Sequence, residues 1–138
     1  MITKGSGFTL VELLVVVAIL GILSAVGTVA YTGYIAGAKK KTAENTMQQI
    51  GLAQTEEYSN SAEYFDQGAD CKPSEDNSKQ IEEKLLDGAE VITKSNDYQM
   101  CIKKDGSSYI VIAGQLDSNE EIVSGTRITM TANGVWGE

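Results

Sequence analysis

Residues 13–38 contain no charged side chain, and between residues 8 and 23 the only charge is Glu12. About twenty apolar residues in helical form span about 30 Å, the hydrocarbon thickness of a bilayer. A single segment in lipid satisfies its backbone groups only as a helix. The run therefore predicts one membrane-crossing helix. It is too long for the apolar core of a secretory signal peptide, although Lys4 would supply the positive start. It also passes into Gly37-Ala38-Lys39-Lys40-Lys41 with no clear small-residue cleavage site. A plain single-span anchor remains an open alternative at this point.

Helical periodicity continues past the lysines. Ala43, Met47, Ile50, Gln54 and Tyr58 recur at spacings of three and four among Lys, Glu and Gln, a narrow stripe on a polar helix. One continuous helix is expected from residue 8 to about residue 58, apolar all round in its first half and one-sided in its second, about 75 Å long. That exceeds what a small head needs, so lipid or other subunits must cover the surplus. Gly21, Gly27, Gly33, Gly37 and Gly51 interrupt it, each costing up to about 1 kcal/mol against Ala. They mark either close helix–helix approach or local pliability.

The remainder reads as a small head. Residues 59–78, rich in Ser, Asn, Asp and Glu with Pro73 among them, form a surface loop. Asn77 and Gln80 suggest a capping box for a short helix ending near Leu86, stopped by Asp87-Gly88. Residues 90–93 are expected as a short strand. Tyr98, Met100 and Ile102 then alternate with Gln99, Cys101 and Lys103, Asp105-Gly106 marks a hairpin, and residues 109–113 form a more deeply buried strand. Ile128 and Met130 point inward from a last strand over 127–131. The fold class is α+β: a long N-terminal helix packed on an antiparallel sheet of three or four strands.

Composition excludes several functions. The net charge of -8, from 19 acidic and 11 basic residues, opposes nucleic-acid binding by the main surface. There is no His, so neither a zinc site nor ordinary acid–base catalysis is expected. The acids Glu56, Glu57, Glu63, Asp66, Asp70, Glu75 and Asp76 read as a solvated surface, with no calcium-loop spacing. No enzyme activity, cofactor or metal is expected. In an exported head, Cys71 and Cys101 would form a disulfide. By alternation Cys101 points away from Met100 and Ile102, so the bond would hold a surface loop over the outer face of the sheet.

Glu12 is the residue that demands an explanation. A carboxylate inside a membrane helix is costly unless protonated, paired or near the headgroups, and the intact chain offers it no obvious partner. The run Gly7-Phe8-Thr9-Leu10-Val11-Glu12-Leu13-Leu14-Val15-Val16-Val17, continuing to residue 23, resembles the class III signal of type IV pilins and related pseudopilins. The resemblance implies a pilin-like fold, a leader over residues 1–7, cleavage between Gly7 and Phe8 by a membrane prepilin peptidase, and N-methylation of Phe8. It also implies that Glu12 is needed for assembly. Paired with the new α-amine of a neighbouring subunit, Glu12 would set the axial register of two rods, a gain in specificity more than in stability.

On that resemblance, residues 8–38 form the membrane and filament-core half of the helix, 39–58 its amphipathic half, and 59–138 the head. The precursor would sit in the bacterial inner membrane with its head periplasmic. It would polymerise with itself and minor pilins, through the pilus assembly platform, into an extracellular filament for adhesion, twitching motility or DNA uptake. A type II secretion pseudopilin and a monomeric membrane-anchored binding domain are the alternatives. In three respects the chain departs from common members: Lys4 lies further from the cut, Val29 stands where many carry a helix-kinking Pro, and the cysteines do not staple a C-terminal loop. Charge placement is also at odds with the motif, since Lys39, Lys40 and Lys41 would lie outside. A place at the outer headgroups, or pairing with Glu44 and with acids of adjacent subunits, would accommodate them.

Overall fold

The computed structural model describes residues 5–94 and 97–138. Its elements are helix α1 (Leu10–Ser61), helix α2 (Glu75–Leu85) and strands β1 (Tyr98–Asp105), β2 (Ser108–Gln115), β3 (Ile128–Thr131) and β4 (Trp136–Gly137). The strands form one antiparallel sheet in the order β1-β2-β3-β4. The expected α+β class, with one long helix and a small antiparallel sheet, is what the chain adopts. Two compact units divide the chain, one ending at Gly37 and the other Ala38–Glu138.

Within Ala38–Glu138 the helical stripe behaves as its spacing requires as far as Gln54, whereas Tyr58 at its end is 46% exposed and stacks on Tyr64. Ala43, Met47, Ile50 and Gln54 are buried. They join a core with Met100 and Ile102 of β1, Tyr109, Val111 and Ala113 of β2, and Ile128 and Met130 of β3. Gly51 lets the helix lie close to that core: an added Cβ would meet Met130 Cε at 3.3 Å. The close approach at Gly51 is to side chains of the sheet, Met130 of β3 and Tyr109 of β2, and not to another helix. The buried Gln54 amide bonds both backbone groups of Phe65, donating to its carbonyl at 2.7 Å and accepting from its N–H at 2.9 Å. The helix thus anchors the chain that leaves it. Ala62 ends the helix with a positive φ of 60°.

The β1–β2 hairpin closes on the pair Asp105–Ser108 with Gly106 at φ 60°, as the Asp-Gly signal implied. Two local expectations are corrected. The short helix is capped by Ser74, whose side chain accepts from the Asn77 N–H at 3.1 Å; Asn77 itself lies inside the helix and its side-chain amide donates to the Lys72 carbonyl. Residues 90–93 are not a strand, and a turn begins at Val91. The cause is the buried carboxylate of Glu82, which accepts from the N–H groups of Ile92 (2.6 Å) and Thr93 (2.8 Å) and from the Thr93 hydroxyl (2.9 Å). Those amides are bound to a side chain and are lost to any strand ladder.

Candidate functional site

The candidate site is the start of α1. Residues 5–9 precede the helix and are exposed, so the Gly7–Phe8 peptide bond lies in irregular, accessible chain. Phe8 itself is 88% exposed. Thr9 then caps the helix reciprocally with Glu12. The Thr9 N–H and hydroxyl donate to Glu12 Oε2 at 2.8 and 3.0 Å, while the Glu12 N–H donates to Thr9 Oγ1 at 3.3 Å. This is the capping box, in which two otherwise unpaired helix-end donors are satisfied by each other's side chains. The carboxylate also sits where the positive end of the helix dipole favours it.

Glu12 therefore has a partner inside its own chain, contrary to the expectation that it lacked one. Thr9 is the residue that sequence reasoning missed, and its signal was present. A Thr followed three residues later by Glu, directly before an apolar run, is the sequence signature of this cap. With three hydrogen bonds between them, the two residues close the first turn of the helix and give the carboxylate two donors.

From Leu10 to Tyr34 every side chain is exposed, including Leu13, Leu14, Val17, Leu20 and Leu23. The helix is long and apolar enough to cross a membrane, by length and composition. Its hydroxyls suit that medium. Ser24, Thr28 and Thr32 are the only Ser or Thr residues between 13 and 38. They donate to the carbonyls of Leu20, Ala25 and Val29 at 2.7, 3.0 and 2.9 Å, so none needs a partner from lipid. Tyr31 and Tyr34 close the run, and their amphipathic rings suit the membrane–water interface. From Leu10 to Tyr31 the helix rises about 31 Å, close to the thickness of the hydrocarbon layer. No added Cβ at Gly21, Gly27, Gly33 or Gly37 would meet an atom of this chain.

The three lysines beyond the run are paired. Lys39 bridges Asp97, Lys40 Nζ bridges Glu138 Oε1 at 2.9 Å and Lys41 Nζ bridges Glu44 Oε2 at 2.6 Å. The expected Glu44 pairing is present, and the other two acids belong to the same chain, not to a neighbour. The Lys40 amine holds the Glu138 carboxyl below the usual carboxylate range. The pairs are exposed, so each contributes little to stability.

Cys71 and Cys101 are joined, with Cα atoms 6.1 Å apart. Cys101 is fully buried opposite Ile112, on the face away from Met100 and Ile102, as its alternation required. Among the described residues, no three His, Cys, Asp or Glu side chains lie close enough to hold a metal ion.

A family model matches this end of the chain. Residues 3–28 carry the prokaryotic N-terminal methylation motif, which is typical of type IV pilins and pseudopilins. Neither a curated protein nor a solved structure matches the chain at a significant level. The motif and the apolar helix behind it fit a membrane-anchored precursor that undergoes prepilin processing.

Proposed function

We propose that this chain is a structural subunit of a type IV pilus, polymerising through its N-terminal helix into a surface filament for adhesion, twitching motility or DNA uptake. One observation carries the reading: a methylation motif over residues 3–28 includes the start of a helix whose side chains from Leu10 to Tyr34 are left uncovered by the described residues. Apolar surface of that extent needs lipid or sister helices, and transfer between the two keeps it out of water throughout.

The steps follow from the residues. Prepilin peptidase hydrolyses the exposed Gly7–Phe8 bond, and the new Phe8 amine is methylated while remaining a cation. Thr9 holds Glu12 until a neighbouring subunit brings its own Phe8 amine alongside. The carboxylate then pairs with that amine in a water-poor interface, where a mispaired charge is costly, and so fixes the stagger of the rods. Release from the assembly platform in the inner membrane delivers the head outward.

Mass spectrometry of the mature chain is expected to find methylated Phe8 as the first residue. An intact Met1 terminus in cells with active peptidase would overturn the reading. Glu12→Ala is expected to leave the head folded and to reduce or abolish filaments; wild-type yield from that variant would remove the assigned role. The same motif marks secretion pseudopilins, so the protein composition of sheared surface filaments separates the two assignments. This chain as an abundant component supports a pilus, and its absence there with periplasmic retention supports a secretion piston.

A further inference from the structure

The sheet has two outer strands of very different length. β4 is two residues long, too short to template much pairing, whereas β1 is eight. A long exposed edge presents a row of unpaired N–H and C=O groups that a second chain can extend. In β1 the odd-numbered positions from Gln99 to Asp105 pair with β2, and Met100, Ile102 and Lys104 turn their amides outward.

All three outward amides are occupied, each by a different group. The Met100 N–H donates to Ser78 Oγ at 2.9 Å, the Ile102 N–H to Gln67 Oε1 at 3.0 Å and the Lys104 N–H to the Gly68 carbonyl at 3.2 Å. The Ile102 carbonyl accepts from the Gln67 N–H at 2.9 Å, and Ser74 bridges Met100. The segment between α1 and α2, together with the first turn of α2, is thus laid along the edge as a strap. The side-chain oxygens of Gln67 and of Ser78 in α2 stand in for two backbone acceptors of a fifth strand. Such a strap has few backbone ladder bonds of its own, and Cys71, between its two points of attachment, is bonded to Cys101 in the strand that it covers.

We infer that the Cys71–Cys101 bond is a clasp: it keeps this strap closed on β1 and so denies the sheet's long edge to the β1 strand of a second copy. The partner that the bared edge fits is another copy of this chain. An eight-residue strand can pair with itself in antiparallel fashion: centred on Ile102, such a pairing sets Lys103, Lys104 and Asp105 opposite Cys101, Met100 and Gln99 of the second copy, so no like charges stand directly opposite each other. For a chain concentrated in a membrane plane, and required to associate by one surface only, an open edge would compete with ordered assembly.

The test uses the full chain in detergent micelles with residue-resolved hydrogen exchange. Cys71→Ala removes the bond while leaving the buried Cys101 side chain in place, and reductant in both samples prevents new disulfides in the variant without being strong enough to open the bond in the parent. Exchange at Met100, Ile102 and Lys104 is expected to rise about tenfold or more, with the inward amides of Cys101 and Lys103 much less affected. Light scattering is expected to show concentration-dependent self-association of the variant alone. Unchanged exchange at the three edge amides would overturn the proposal, as would uniform acceleration along β1 or a bared edge that stays monomeric. Gln67→Ala keeps the bond and removes one lid group, so it serves even if Cys71→Ala does not fold. Faster exchange confined to Ile102 supports the clasp, whereas exposure of all three amides and self-association with the bond intact would refute it.

Discussion

Two carboxylates outside the N-terminal site show how single side chains hold the head together. Glu82 is 2% exposed and serves three donors of the 92–93 turn. Glu82→Ala strands the buried Ile92 N–H, and an unmet buried donor costs about 1–3 kcal/mol. Chemical denaturation of the full chain followed by Trp136 fluorescence is expected to show a loss of that size; a loss below about 0.5 kcal/mol, the range of neutral surface changes, would deny Glu82 its anchoring role. Asp117 is exposed and works differently. The N–H groups of Glu121 and Asn119 donate to its Oδ1 at 3.1 and 2.8 Å and hold its carboxyl below the ordinary Asp range. A folded-state pKa below the unfolded one means that the carboxylate's contribution is complete above the unfolded value and is lost as pH falls through the folded one. The protection of the Asn119 and Glu121 amides, measured against the intrinsic exchange rate at each pH, is therefore expected to fall in acid in the wild type. In Asp117→Asn that acid step should be absent.

At the scale of elements, legibility followed the strength of the periodic signal. α1 was readable to within a few residues at each end because an uncharged run allows no alternative to a helix in lipid, and because the stripe from Ala43 to Gln54 repeats at helical spacing. β1, β2 and β3 were readable from alternation and from Asp105-Gly106. The failures arose where a side chain competes with the backbone ladder. Val91, Ile92 and Thr93 have strand propensity, but Glu82, distant from them in sequence, takes the amides of Ile92 and Thr93, and no local pattern encodes that. Ser74 displaced Asn77 as the cap of α2 because two capping residues lay three apart and only tertiary placement decides between them. At the candidate site, Glu12 stood out as a charge in an apolar run. Thr9 stands out less, because a Thr beside an apolar run is common and only the carboxylate three residues on makes it a cap. The far end of α1 permits a direct test. Ala62 sits at φ 60°, a conformation that costs an L-residue about 1–2 kcal/mol and Gly far less. Ala62→Gly is expected to raise the unfolding midpoint of the head in urea, part of the gain being offset by the greater freedom of Gly in the unfolded chain. A lower midpoint would mean that the helix end is held by Gln54 and Phe65 and not by its own cap.

For the molecule as a whole, the distribution of charge sets conditions on assembly. Apart from Glu12 and Lys4, all the charge lies beyond residue 38, so the part carrying the head holds the full net charge of -8. The apolar residues of α1 favour association in proportion to the area they remove from water. Bringing like-charged heads to filament spacing opposes it through repulsion. The two terms respond differently to salt. Exposed charges are screened over about 10 Å at 0.1 M ionic strength and about 3 Å at 1 M, while the proposed Glu12–amine pair inside an apolar core would be screened far less. Purified, processed chains released from detergent are therefore expected to associate at lower protein concentration as sodium chloride is raised, with light scattering as the readout. Glu12→Ala should lower the order of the assemblies seen by electron microscopy at every salt concentration without removing this dependence. If salt instead dissolved the assemblies, attraction between heads would have to outweigh their net repulsion, and the apolar rod would lose its place as the main source of cohesion.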